Sequence, residues 1–179
     1  MDWSKVDKGQ SIKCIEGNVL KGCNINENTG GSLIRTNLPI NNASRFYFEI
    51  NILEGNGQVA FGLTKSSIRS DSFPEWSSGI NYRHSLYKNN GRIYHGGLIL
   101  VEETEAFGSG DTVGCLIKSF DVHNEVLYKG QYIKNGKAVG LPWHLKNDDY
   151  FPTVAIKNGE ITVKTNFGES DFVFKGNRL

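Results

Sequence analysis

Glycine-rich segments are the first places in this sequence where residue types and spacing could support chemistry. Residues 55–60 (Gly-Asn-Gly-Gln-Val-Ala) partly match the dinucleotide fingerprint, in which a helix N-terminus meets the pyrophosphate. Here the segment leads directly into the apolar run 59–63, which predicts a strand rather than a helix. Residues 130–137 miss the phosphate-loop spacing by one residue, and Ala138 stands where that motif needs a hydroxyl group for the metal. We therefore expect no nucleotide site.

Side chains that could bind a metal or act as nucleophiles are scattered along the chain. Asp148 and Asp149 could contribute to a calcium site, but no oxygen-rich loop surrounds them, which favours a solvated turn. No serine or cysteine lies in a recognisable nucleophile motif. The histidines form no i, i+4 pair and have no cysteine nearby: they are His84, His95, His123 and His144. We expect no catalytic residue, no metal and no cofactor.

The three cysteines, Cys14, Cys23 and Cys115, match no zinc spacing. Cys115 lies in an apolar run (Thr-Val-Gly-Cys-Leu-Ile) and is expected to be a buried thiol. Because free thiols persist in reducing compartments, we expect a cytoplasmic or nuclear protein. Residues 1–5 contain no apolar targeting segment. Secretion into a host cell is the alternative if a signal peptide has been removed.

Charge is balanced, with 20 basic and 19 acidic residues and a net charge of +1. These residues are dispersed, and no basic run indicates the phosphate contacts of a nucleic-acid binder. No apolar stretch approaches the length of a membrane span. We therefore expect neither nucleic acid nor membrane as a partner.

The dominant hydrophobic period is two residues, which is typical of half-buried strands. Residues 46–52 (Phe-Tyr-Phe-Glu-Ile-Asn-Ile) alternate strictly, and residues 150–156 are more uniformly apolar, as in a central strand. The same alternation marks residues 59–63, 113–117 and 161–167. No window of helical period exceeds about two turns, so any helices should be short and peripheral. An antiparallel β-sandwich forming one domain over residues 1–179 is predicted.

Asn-Gly pairs, which tolerate the positive φ of tight turns, occur four times. Asn135-Gly136 is expected to join two strands of a hairpin. Asn158-Gly159 lies between the apolar segments 154–156 and 161–163, and predicts a second tight antiparallel hairpin.

Several segments carry glycine and apolar signals in a fixed order along the chain. They are 46–50 (Phe-Tyr-Phe-Glu-Ile), 57–63 (Gly-Gln-Val-Ala-Phe-Gly-Leu), 74–76 (Pro-Glu-Trp), 90–97 (Asn-Gly-Arg-Ile-Tyr-His-Gly-Gly), 110–115 (Gly-Asp-Thr-Val-Gly-Cys), 134–136 (Lys-Asn-Gly) with Gly140, 151–154 (Phe-Pro-Thr-Val), Gly159-Glu160 and 166–168 (Asn-Phe-Gly). This series resembles the SPRY family, and the segment 74–76 is similar to its Ran-binding-protein-M-like branch. The resemblance covers about residues 3–174 and implies a concanavalin-like jelly-roll sandwich that binds other proteins without catalysis. It leaves two settings open, a scaffold or ubiquitin-ligase component and a secreted effector of the nematode type.

The resemblance also implies a binding surface, because a short peptide lies across preformed loops in family members. Tyr94 is the predicted central anchor, and Lys157 and Arg69 are predicted flanking cations that favour an acidic or polar partner segment. Peptide-binding adaptors of the ubiquitin-ligase branch carry an aromatic residue at the position of Lys157, so their acidic, asparagine-rich ligand is not assumed here. The carried-over positions are Lys21, Asn24, Asn26, Arg69, Tyr94, Leu98, Lys157 and Asn158.

Two segments, 76–87 and 120–125, are longer than is usual in the family, so no functional residue is carried over from the family onto positions within them. We expect a monomer that binds a partner protein or peptide as adaptor, scaffold or effector. A carbohydrate-binding lectin is the alternative, because many lectins are sandwiches and this chain is rich in asparagine and aromatic residues. Calcium, or an aromatic side chain in a shallow polar site, would distinguish a lectin.

Overall fold

Two seven-stranded antiparallel sheets face each other across an apolar core. The structure is a computed structural model that describes residues 1–15, 18–25, 30–40, 44–74, 84–96, 98–101, 103–123, 125–146 and 148–176. The described residues form strands, turns and irregular segments but no helix, so none of them belongs to a helix that could span a membrane. The predicted all-β sandwich is confirmed.

The first sheet, sheet 1, has the strand order β1-β4-β13-β6-β7-β8-β9. The apolar segment predicted as a central strand is β13, which pairs with β4 on one side and β6 on the other. The seven strands are β1 (Trp3–Lys8), β4 (Ser32–Thr36), β6 (Gln58–Thr64), β7 (His84–Lys88), β8 (Ile93–His95), β9 (Leu98–Val101) and β13 (Phe151–Lys157).

The second sheet, sheet 2, has the strand order β12-β11-β10-β5-β14-β3-β2. Its long hairpin β10–β11 pairs in unbroken register from Val113 and Lys134 out to Val122 and Glu125. The described residues of the family-atypical segment 120–125, which are 120–123 and 125, therefore lie at the tip end of this hairpin. The seven strands are β2 (Ile12–Ile15), β3 (Val19–Ile25), β5 (Arg45–Gly55), β10 (Thr112–Val122), β11 (Glu125–Lys134), β12 (Lys137–Lys146) and β14 (Gly159–Asn166).

Alternate residues of both sheets form the core, as the period of two predicts. The rings of Phe48 and Phe61 meet across the two sheets with centroids 4.8 Å apart. Cys115 is fully buried, as predicted, and burial raises the pKa of its thiol. Trp3 and Trp143 are buried structural residues, whereas Trp76 lies outside the described residues.

The two Asn-Gly predictions have different outcomes. Asn135-Gly136 joins β11 to β12 in a hairpin, with both residues at positive φ. The hairpin predicted at Asn158-Gly159 is wrong, because β13 belongs to sheet 1 and β14 to sheet 2. Each of these strands pairs with two other strands. The Asn158-Gly159 turn therefore connects one sheet to the other instead of closing a hairpin.

The outer face of sheet 1 is partly covered by the segment 65–74, which follows β6. Phe73 and Ile68 of this segment pack on a small apolar cluster of alternate strand residues, including Leu33 and Leu86. The backbone N–H of Phe73 donates to the carbonyl of Gly30 at 2.6 Å. This cover fixes one wall of a concave site.

Candidate functional site

The end of β7 places a lysine on the outer face of sheet 1. Lys88 is directly opposite Ala60 of β6, whose side chain lies in the outer apolar cluster. Directly opposite residues share a face, and so do residues two apart. Tyr94 is opposite Leu86, and it therefore lies on the same face as Lys88.

Lys88 is held between two aromatic rings. Its Nζ lies 4.2 Å from the ring centroid of Tyr94 and 4.7 Å from that of Phe73. Cation–π attraction of this kind is stronger where water is excluded, and Lys88 and Tyr94 are only 7% and 5% exposed. A concave site of about 340 Å³ opens beside them. We call it the Lys88 site, and its lining residues are Gln58, Phe73, Lys88, Asn89, Asn90, Arg92 and Tyr94.

The turn after β7 is fixed by side chain to backbone hydrogen bonds. The Asn89 Oδ1 accepts from the N–H of Val59 at 3.2 Å, and its Nδ2 donates to the carbonyl of Gly57 at 3.1 Å. Gly91 completes the turn at φ 87, where a β-carbon would also meet the Thr104 carbonyl oxygen. Such bonds preorganise the site, which reduces the entropy lost on binding.

The structure brings some of the predicted site residues to this end of sheet 1. Tyr94 lines the Lys88 site, and Lys157 is directly opposite Gln58, another lining residue. Asn158 follows in the crossover turn at φ 52, and its buried Oδ1 has no hydrogen-bond partner among the described residues. Leu98 begins β9 opposite His95, at the end of that strand away from Lys88, and is 69% exposed.

Other predicted positions lie apart from the Lys88 site or outside the description. Arg69 is on the covering segment, where its guanidinium pairs with both carboxylate oxygens of Asp71 at 2.9 and 2.6 Å. Lys21 is on β3 of sheet 2, opposite Thr162, on the other face from buried Leu20. Asn26 and the side chain of Asn24 lie outside the described residues.

Sequence reasoning missed Lys88, Phe73 and Asn89. Phe73 and Lys88 meet only because segment 65–74 folds back over the outer face of sheet 1, which no local pattern predicts. Asn89 immediately precedes an Asn-Gly pair. That position was a usable signal for a turn-fixing side chain.

A larger concave region, of about 650 Å³, lies beside the Arg69 segment. The Arg69 guanidinium lowers the pKa of the Asp71 carboxyl, chiefly through their hydrogen bonds. The two charges therefore neutralise each other in place. Lys8, which also lines this region, donates to the carbonyl of Ile12 at 3.1 Å.

The described part of the chain contains no group of three or more His, Cys, Asp or Glu side chains placed to hold a metal ion. His84, on the same strand as Lys88, is buried, and His95 on β8 is half-buried. Burial, followed by the charges of His95 and Lys88, lowers the pKa of His84 to about 4.

Comparison with known proteins defines the class. The SPRY domain family model matches residues 45–170, which is more than half of the chain. The chain belongs to the SPRY domain family, whose members are protein-interaction modules.

Particular relatives agree with this family and with its Ran-binding-protein branch. The chain is 28% identical to the Ran-binding proteins 9/10 homolog of Drosophila melanogaster, over 96% of this chain and 18% of that protein. It is 26% identical to Ran-binding protein 9 of Xenopus laevis, over 96% of this chain and 31% of that protein. The chain thus spans less than a third of the length of these relatives.

A solved structure shows the same fold. The SPRY domain of human HERC1 superposes with a TM-score of 0.63 at 16% sequence identity. The match covers 94% of this chain and 99% of that domain.

Proposed function

We propose that this SPRY domain is a non-enzymatic interaction module that binds a polar or acidic segment of a partner protein in the Lys88 site. The observation that carries the proposal is the Lys88 ammonium group, held 4.2 and 4.7 Å from two ring centroids beside a preformed concavity. Membership of a protein-interaction family supports it.

The chemistry of the lining favours a ligand that accepts hydrogen bonds. Lys88 and Arg92 contribute positive charge, and Gln58, Asn89 and Asn90 contribute amides. The described residues that line the site include no carboxylate. A partner carboxylate or backbone carbonyl near Lys88 therefore gains a charge-assisted hydrogen bond. Lys157, opposite Gln58, extends the positive potential beyond the rim and should raise the association rate.

Tyr94 is a side chain whose position in the Lys88 site is fixed before a ligand binds. Its ring packs under the Lys88 ammonium group and its buried position restrains it before any ligand arrives. Anchors of this kind concentrate binding energy in a few central residues. Loss of the ring removes the support of Lys88 as well as any direct contact with the ligand.

The test begins with a partner isolated by affinity purification and identified by mass spectrometry, whose binding is then measured by biolayer interferometry. Lys88→Met keeps the alkyl stem and removes the charge, and Tyr94→Ala removes the ring. Each should weaken binding by at least about 2 kcal/mol. Lys157→Glu should slow association with little change in stability. Lys164→Met, at an exposed position of β14 in sheet 2, is the matched control and should bind like wild type.

Folding is checked by circular dichroism and thermal unfolding, because Tyr94 is buried. Tyr94→Phe keeps the ring and the cation–π contact, so it separates loss of the hydroxyl from loss of packing. If folded Lys88→Met, Tyr94→Ala and Lys157→Glu all bind like wild type, the partner uses another face and the proposal fails. Binding on a glycan array that Lys88→Met abolishes would instead support the lectin alternative.

A further inference from the structure

Among the described residues, the two open sheets have four edge strands, β1 and β9 in sheet 1 and β12 and β2 in sheet 2. An edge strand presents unpaired backbone N–H and C=O groups, to which another chain can add a strand. Proteins usually block such pairing with charged side chains or proline on the edge. A comparison of the edges therefore shows where strand addition is blocked.

The edges β1, β2 and β12 carry these blocking residues. β1 contains Lys5 and Asp7, and its register with β4 shifts along the strand. β2 has the exposed Lys13. β12 has a lysine at each end and the exposed Pro142 within an irregular stretch of its pairing with β11. Each of these edges is unfavourable for a further strand.

β9 has neither a charge nor a proline, since its sequence is Leu-Ile-Leu-Val. Its partner is β8, and no other described strand pairs with it. The register of β9 with β8 shifts between Ile93 and Tyr94, which makes Leu100 the extra residue. Leu98 is 69% exposed and Leu100 is 37% exposed, whereas Val101 packs against the core. The strand therefore combines an open backbone edge with exposed apolar side chains.

The irregular stretch of β12 extends this apolar edge. Gly140 lies against β8 and β9, because a β-carbon there would be 3.8 Å from the Val101 Cγ2 and would overlap the Ile93 Cδ1. The next residue, Leu141, is 62% exposed. A segment that pairs with β9 can therefore bury apolar side chains of both sheets, which stabilises its binding.

The charge beside β9 is negative. Glu103 follows two residues after the end of the strand, is exposed, and forms no ion pair with another described residue. The Glu105 carboxylate, further along the chain, is 3.5 Å from the Lys134 Nζ. Glu103 is therefore the charge that can attract a basic side chain of an added segment.

We propose that the free edge of β9 binds an extended apolar segment of a partner protein, which adds an antiparallel strand to sheet 1 and carries a basic residue before its apolar run. The pairs within sheet 1 are all antiparallel. In that direction, the residue that faces Glu103 precedes the residues that face β9. Main-chain hydrogen bonds supply affinity in this mode, and alternate side chains supply specificity. The Lys88 site differs, because its described lining contains cations and favours an acidic ligand.

A second copy of this chain suits the edge less well. β9 is 4 residues long and spans about 14 Å. Two copies joined through this edge alone would bury far less than the about 1,600 Å² of a typical stable interface. The residues that precede β9 in the chain are Gly96 and Gly97, so a second β9 brings no cation to Glu103.

The probe is a peptide of about seven residues in which one lysine precedes alternating valine and threonine, with both ends capped so that the lysine carries its only charge. Isothermal titration calorimetry measures its binding to the whole domain. Leu100→Lys places a charge on the edge and should weaken binding at least about tenfold. Leu53→Lys makes the same change at a leucine that is 45% exposed on β5, an interior strand of sheet 2, and should stay within about twofold of wild type.

Two altered peptides test the backbone pairing and its direction. N-methylation of the valines and threonines keeps the side chains but removes the backbone donors, and should weaken binding at least about tenfold. The reversed sequence places the lysine at the other end and should bind about two- to fivefold more weakly, which is the usual contribution of an exposed ion pair. Amide hydrogen exchange of Leu98–Val101 should slow when the probe is bound.

Thermal unfolding checks that the variants are folded, and Leu98→Lys, at the more exposed leucine, replaces Leu100→Lys in the comparison if Leu100→Lys unfolds. The proposal fails if wild type does not bind the probe, or if the edge variant and Leu53→Lys bind it equally. It also fails if the N-methylated peptide binds as well as the probe, since backbone pairing would then contribute nothing. Dimers in sedimentation equilibrium that the edge variant dissociates would assign the edge to a second copy and overturn the proposal as well.

Discussion

Cationic side chains on the outer faces of the two sheets differ in burial and in the partners that they contact. On sheet 1, Arg35 of β4 is 1% exposed and fully engaged: Asp7 accepts from its Nη1 at 2.7 and 2.9 Å, and Thr64 accepts from its Nε at 2.9 Å. Its Nη2 donates to the carbonyl of Ile68. On sheet 2, Lys118 lies directly opposite Arg45 on one side and Lys129 on the other, and both Arg45 and Lys129 are exposed.

The difference shows which charges serve the fold and which are available to a ligand. Arg35 ties β1, β6 and the segment 65–74 to β4, and that segment carries Phe73 of the Lys88 site. A buried charge whose hydrogen-bond donors are all used within the fold has no donor free for a ligand. Arg45 and Lys129 on sheet 2 have the reverse balance, because each lies opposite a like charge and its side chain is exposed.

The largest expected effect comes from removing the Arg35 guanidinium. Arg35→Ala should lower the free energy of unfolding by about 2–4 kcal/mol, because it leaves a cavity in a buried site and takes the hydrogen-bond donor away from the Ile68 carbonyl and from the partly exposed Asp7 carboxylate. Urea denaturation monitored by tryptophan fluorescence measures this. The variant also loses the bond to the Ile68 carbonyl, which holds the segment 65–74 that carries Phe73. It should therefore also weaken the binding of ligands to the Lys88 site.

The exposed pair Arg69–Asp71 provides the matched control. It also contains a bidentate arginine, but the Arg69 side chain is 81% exposed. Arg69→Ala should change stability by less than about 1 kcal/mol, as surface ion pairs usually do. Equal losses in Arg35→Ala and Arg69→Ala would show that burial does not decide the energetic role of arginine in this domain.

Acid should weaken sheet 1 through His84. Its folded-state pKa is about 4, below the ordinary 6.5, chiefly because of burial. The unfolded chain therefore binds a proton more readily between pH 6.5 and 4, and stability falls as the pH falls through this window. The group should contribute a loss of about 3 kcal/mol between pH 7 and pH 4.

His84→Phe tests this contribution by urea denaturation at both pH values. The variant should lose less stability than wild type on acidification, and the remaining slope should include His95, whose pKa burial also lowers. Leu86→Val, on the same strand and face, is the control that should lower stability without changing the slope. An unchanged slope in His84→Phe would assign the acid response to other groups.

Strands and turns were predictable because they depend on local residues. The alternation in residues 46–52 gave β5, and the turn at Asn135-Gly136 gave the β11–β12 hairpin. The same local evidence failed at Asn158-Gly159. Inward-facing apolar flanks suit a hairpin within one sheet and a crossover between two sheets equally well, and only the choice of strand partners separates them.

The sites were less predictable for a related reason. Tyr94 was predicted through family resemblance, but the ring that completes its site, Phe73, comes from a covering segment with no regular pattern. The facing cations of sheet 2 are residues 45, 118 and 129. No run of basic residues marks them in the sequence, because only the register of three strands places these positions opposite one another.

The smallest expected effect concerns like charges that face each other across the strands of sheet 2. Lys129→Glu replaces the like-charge contact with Lys118 by an opposite-charge contact between the same strands. Cross-strand charge pairs contribute about 0.2–1 kcal/mol each, so the variant should be more stable than wild type by about 0.2–1 kcal/mol. The gain should shrink as salt screens the pair. Lys137→Glu should also gain, because Lys137 lies opposite Lys134, but less, since Lys134 already has Glu105 and Asp111 within 3.5 and 3.7 Å. A loss of stability in Lys129→Glu at low salt would show that this like-charge pair does not oppose folding, and the contrast between the two outer faces would then rest on Arg35 alone.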